Sequence, residues 1–171
     1  NQGTTWKETS FNDGSWSSGN GQLGYGDGDE STVVGFGPNS SSKYITTYFR
    51  KSVSISNPSS YANFTLNVKR DDGIVVYING TEVYRNNMPA GTISFTTQAS
   101  AAASDDGATT QTATIGTSSF INGTNLIAVE IHQADGQSAD ISFDMELIAN
   151  GTGSSQNAQL TRGPYLQMGN T

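Results

Sequence analysis

Arg70-Asp-Asp-Gly-Ile-Val-Val-Tyr-Ile-Asn-Gly-Thr-Glu-Val-Tyr-Arg85 holds two β-branched and aromatic runs, Ile74 to Ile78 and Thr81 to Arg85, on either side of Asn79-Gly80. Asn-Gly accepts the positive φ angles of a type I′ turn, whose twist matches that of paired strands, so the stretch reads as a β-hairpin. Just before it, Asp71-Asp72-Gly73 reads as a turn between strands, where short acidic side chains bond nearby backbone N–H groups.

Outward from the hairpin, the same period-two alternation recurs at Thr4 to Thr9, Tyr44 to Ile55, Tyr61 to Arg70, Gln111 to Ile115, Asn125 to His132 and Asp140 to Ala149. Helical periodicity is almost absent; Gln98 to Ser104, rich in Ala and Ser, offers a short helix or a capping loop. Alternation also assigns faces. Ile45, Phe49, Val53 and Ile55 share one side of their strand and leave Tyr48 and Arg50 on the other. Ile127, Val129 and Ile131 belong to the core, which turns Glu130 and His132 outward or toward a polar cleft. In the last strand Ile141, Phe143, Met145 and Leu147 point in, and Asp140, Ser142, Asp144 and Glu146 point out. One apolar and one polar face per strand describe an all-β fold of two antiparallel sheets packed together.

The chain has 171 residues, enough for one domain with a tail. We expect the sandwich over residues 1–149, a Gly/Ser linker over 150–159, and the first strand of a covalently linked following domain over 160–171. Ser10 to Ser42 is long, Gly-rich and acidic, so it should fold onto the sandwich as a functional or metal-pinned loop. Charged residues are only 13%, while Gly, Ser, Thr and Asn make up nearly half of the chain, the composition of a secreted β module. The net charge of −7 and the scattered Lys and Arg argue against nucleic acid as a partner. There is no cysteine and no apolar run long enough for a membrane span. A monomer is expected.

One histidine and no Gly-x-Ser-x-Gly elbow remove most hydrolytic chemistries, and the residues point to no catalytic group. The acidic residues suit calcium better, because a hard cation takes six to eight oxygens. Tyr25-Gly-Asp-Gly-Asp-Glu-Ser31 is the obvious loop, although its spacing is not that of an EF-hand. Asp27 and Asp29 together with Asp144 or Glu146 are the expected ligands of a structural Ca2+ that would pin this loop. For a polysaccharide or cell-surface glycan, aromatic faces and polar forks are needed; Trp16, Tyr25, Tyr48, Arg50, Arg70 and His132 are the candidates by type, and each also suits a buried role. Asn-Gly-Thr occurs three times, at Asn79, Asn122 and Asn150, always where a turn is expected.

The hairpin stretch, with Asn87-Met-Pro-Ala-Gly91, Asn125-Leu-Ile-Ala-Val-Glu-Ile-His-Gln133, Asp140-Ile-Ser-Phe-Asp-Met-Glu-Leu147, Leu23-Gly-Tyr-Gly-Asp27 and Tyr48-Phe-Arg-Lys51, resembles the galactose-binding-like accessory domains of secreted bacterial multidomain hydrolases. That resemblance implies a jelly-roll sandwich and often a structural calcium, without implying a ligand. Thr161-Arg-Gly-Pro-Tyr-Leu-Gln167 separately resembles the opening strand of the fibronectin-like domain of purple acid phosphatases. Together these resemblances imply an accessory module, carbohydrate- or surface-binding or else a spacer, of a parent enzyme of the metallophosphoesterase type.

Overall fold

The computed structural model describes residues 1–152 and 157–160 and the backbone of 165–167. Among these, twelve strands form a β-sandwich of jelly-roll type: β1 (Ser17–Gly19), β2 (Leu23–Tyr25), β3 (Thr32–Val33), β4 (Thr46–Ile55), β5 (Tyr61–Asp71), β6 (Gly73–Ile78), β7 (Thr81–Asn86), β8 (Gln111–Ile115), β9 (Gly123–His132), β10 (Ile141–Gly151), β11 (Ala158–Gln159) and β12 (Tyr165–Gln167). One sheet runs β1-β12-β4-β9-β6-β7 and the other β3-β2-β10-β5-β8, with β11 beside β10. Every pairing is antiparallel except that of β2 with β3. No helix of the described residues is long and apolar enough to cross a membrane.

The hairpin stands as expected. Asn79 and Gly80 adopt φ of 51° and 85° between β6 and β7, the left-handed geometry that L-residues other than Asn, Asp and Gly resist. Alternation on β4, β5 and β10 delivers Phe49, Phe64 and Phe143 to the space between the sheets. There Phe49 meets Phe143 at 4.5 Å and Phe64 meets Phe120 at 4.1 Å between ring centroids. The β-branched set of β6 and β9 fills the rest.

Two expectations are corrected. Thr4 to Thr9 is not a strand: Thr5–Lys7 makes a single 3-10 turn that drops Trp6 onto the outer face of the first sheet. That face is therefore not polar and solvated. Trp6, Trp16, Tyr48, Val75, Tyr77, Leu126 and Ala128 form a second apolar cluster on it, so β4, β6 and β9 are buried on both sides. Gln98 to Ser104 takes the loop alternative, tied down by its backbone, with Ala99 N–H donating to the Gln133 carbonyl. Strand pairing also runs past residue 149, since β10 ends at Gly151, β11 pairs with it, and β12 lies between β1 and β4. The linker and the phosphatase-like heptapeptide fall in part on residues outside those described.

Candidate functional site

Two places gather the chemically capable residues: the covered outer face of the first sheet, and the loops at one end of the sandwich. On the outer face, the register sets Tyr48 opposite Glu130 and Thr46 opposite His132 across β4 and β9. The N-terminal segment crosses above them. Arg50 holds it down: Nε donates to Asp13 Oδ2 at 2.7 Å, and Nη1 donates to the carbonyls of Trp6 and, at 3.2 Å, Glu8. Phe11 and Trp16 flank the guanidinium at 5.3 and 5.9 Å, the stacked arrangement that suits a planar cation. Trp16, Tyr48 and Arg50 thus come together, as packing beneath the segment rather than as an open sugar platform.

His132 is fully buried. Thr46 Oγ1 donates to the Phe95 carbonyl at 2.9 Å and so accepts from the ring; the Thr97 carbonyl, 2.7 Å from Nδ1, can only accept. Nδ1 therefore carries the proton. Nε2 faces Glu130 Oε2 at 3.3 Å, poorly aligned for a hydrogen bond, while Glu130 Oε1 accepts from the Tyr77 hydroxyl at 2.7 Å. This chain of groups pins the Phe95 to Thr97 loop to the sheet and leaves no path by which a substrate meets the imidazole. Arg70 is likewise a fastener, donating from Nε to Asn86 Oδ1 at 2.7 Å and from Nη1 to Asp105 Oδ1 at 3.0 Å. Burial pushes the Asp105 carboxyl up, but the Arg70 bond and charge hold it below the ordinary carboxylate range overall.

At the loop end, carboxylate oxygens of Asp27, Asp106 and Asp140 lie within 4.8 Å of one another; Asp27, Asp29 and Glu30 form an overlapping group. The backbone sets this convergence. Gly26, at φ 113°, has Asp140 so close that a Cβ would sit 2.9 Å from its Cα, and Gly107, at φ 67°, would bring a Cβ within 2.7 Å of the Ser142 Cβ. Ser142 Oγ donates to Asp27 Oδ2 at 2.8 Å, and Gln22 Nε2 donates to both Ser142 Oγ and Asp29 Oδ1 at 3.1 Å. Asp71 lies behind the cluster, 3% exposed. Burial first, then the charges of Asp72, Asp140 and Asp106, push its carboxyl up to about 8. Burial, with Asp27 and Asp106 beside it, pushes Asp140 up to about 6. Asp72 is better served, accepting the N–H groups of Ala103 at 2.6 Å and Ala134 at 2.7 Å. Tyr25 closes the apolar side, its hydroxyl accepting from Gln133 Nε2, and burial pushes its phenol up to about 12.

The structure separates the residues expected as calcium ligands. Asp27 and Asp29 stand in the acidic groups, but Asp144 and Glu146 do not: they project from β10 further along the strand, where Asp144 faces Lys69 and Glu146 accepts from Asn67 Nδ2 at 3.0 Å. Asp106 and Asp140 stand beside Asp27 instead. The Asp-Asp-Gly pair at 105–107 was the available sign, since it repeats the 71–73 pattern in a second turn. Oxygen-only donors of this kind suit Ca2+ rather than a soft metal.

The raised carboxyls make a prediction for buffer without divalent metal. Asp71 and Asp140 bind protons more tightly folded than unfolded, so their contribution to stability is full below the unfolded value of 3.8 and is lost as pH rises through about 6 and about 8. Urea unfolding between pH 4.5 and 8.5 in EDTA should show stability declining with pH; a flat or rising profile would contradict the proximity of these acids.

No protein-family model and no curated protein matches the chain. Among solved structures it is similar to a part of the Streptomyces avermitilis alpha-L-rhamnosidase complexed with L-rhamnose, at 18% identity and a TM-score of 0.53. The match covers 81% of this chain but 12% of that enzyme. An alpha-L-rhamnosidase from Dictyoglumus thermophilum (14% identity, TM-score 0.47, 70% and 12% covered) and the PA14 domain of MpAFP antifreeze protein (18%, 0.36, 84% and 58%) superpose too loosely to carry an argument. The first match shows a shared β-sandwich. The comparisons lend no support to the phosphatase resemblance of residues 161–167.

Proposed function

We infer that this chain is a non-catalytic accessory module that binds carbohydrate as part of a larger secreted enzyme, with its loop end held by calcium. The observation that carries the reading is the burial of His132 and Glu130 under the N-terminal segment and the Phe95 loop, which takes the groups fit for proton transfer on that face away from any substrate. A sandwich fold shared with one portion of a much longer glycosidase supports the carbohydrate part. Asp27, Asp106 and Asp140 would hold the Ca2+, and its charge would relieve the crowding that raises Asp71 and Asp140.

Two measurements test the two halves. Calcium should raise the melting temperature and EDTA should reverse the rise, with about 2.7 kcal/mol expected at a hundredfold excess over the dissociation constant. A Tm indifferent to both reagents removes the metal. A broad glycan array should show signals above background; uniform background would leave a spacer that packs against a neighbouring catalytic region.

A further inference from the structure

A cleft of about 350 Å³ opens where β4 begins, between the N-terminal segment and the Phe95 loop, with Gln2, Lys43, Tyr44, Thr46, Tyr48 and Phe95 among its lining residues. That volume lies at the low end for small-molecule sites and suits a mono- or disaccharide. We propose that this cleft takes a sugar ring bearing a carboxylate, a uronic acid unit, with Phe95 stacking on the ring, Tyr48 donating to a hydroxyl and Lys43 meeting the acid.

Three observations converge. Tyr48 is 2% exposed yet lines the cleft, and among the described residues its hydroxyl has no hydrogen-bond partner. The hydroxyl is therefore free to donate to a ligand oxygen at the cleft wall. Burial and the nearby Glu130 push its phenol well above the ordinary range, so it remains a donor. Phe95 is 44% exposed, an apolar ring left in solvent, and its loop is held to the sheet by the Thr46 and His132 bonds, so the wall is in place before a ligand arrives. Lys43 spends one N–H on the Ser138 carbonyl at 2.5 Å and has no carboxylate partner among the described residues. In a chain of net charge −7, the cleft lining carries a cation and no acid. That local inversion selects an anionic ligand over a neutral one.

The inference rests on the carbohydrate reading, and its test separates the two. D-glucuronic acid, with D-glucose as the neutral control, would be titrated into the chain by calorimetry. Glucuronate should bind at least tenfold more tightly than glucose, and Lys43→Gln should abolish the difference. Tyr48→Phe should weaken glucuronate binding about tenfold without lowering the melting temperature, because no protein partner loses a bond. Phe95→Ala should weaken both sugars. Equal affinity for the two sugars, or glucuronate binding untouched by Tyr48→Phe, would overturn the proposal. Array glycans that bind wild type and both aromatic variants equally would overturn the cleft and leave the carbohydrate reading standing; background on the array together with no glucuronate binding overturns both.

Discussion

Replacing Arg50 with alanine is expected to lower the unfolding free energy by about 3–5 kcal/mol, the cost of removing one partner from a buried, hydrogen-bonded charge pair. The guanidinium is 3% exposed and is bound to the Asp13 carboxylate and to two carbonyls. Without it, those carbonyls lose their donor beneath Phe11 and Trp16, and the N-terminal segment loses its principal tie to β4. Asp13 is 27% exposed and can hydrate, so Asp13→Ala should cost much less. Arg50→Met keeps the aliphatic stem between the two rings and should fall between them. Urea unfolding of the three variants is the measurement. A loss under about 1 kcal/mol for Arg50→Ala would mean that the segment is held by its apolar contacts alone.

Phe143→Ala should cost a similar amount, about 3–5 kcal/mol, for a different reason. Phe143 is completely buried between the sheets, on a strand paired with β5 on one side and β2 on the other, and its ring lies 4.5 Å from that of Phe49. Neither strand can move in to refill the space without giving up its register, so the cavity stays. Phe143→Leu leaves less void and should cost less, while Val33→Ala, at a site 72% exposed, should stay within about 0.5 kcal/mol. With a domain of this size, 1 kcal/mol corresponds to roughly 2–4 °C in melting temperature, so thermal denaturation resolves the series. A small loss for Phe143→Ala would contradict the tight stacking of the two sheets.

The interior was legible in the sequence because a strand's side chains alternate whatever its partners: Phe49, Ile127, Val129, Phe143 and Leu147 read as core and are core. Asn79-Gly80 was legible because few other residues accept its angles. The second cluster was not, because alternation says which residues share a face but not what covers it. Alternation puts Tyr48, Arg50, Glu130 and His132 on one side of their strands, but Trp6 and Phe11, which cover them, lie far away in sequence. The acidic end fails for the same reason. Asp27, Asp71, Asp106 and Asp140 come from four separate loops or strand ends, and only their folding together makes them neighbours; Asp27 alone stood out, by its glycine-rich run.

The segment strapped across the first sheet also decides how a long polymer can approach. A flat sheet face would let a polysaccharide lie along it and be gripped in mid-chain, but here that strip is already occupied by Trp6, Phe11 and Trp16. Among the described residues the most exposed aromatic rings are Phe36 and Phe95, each in a loop. On the carbohydrate reading proposed above, that face would meet chain ends and side branches rather than unbroken runs of a polymer.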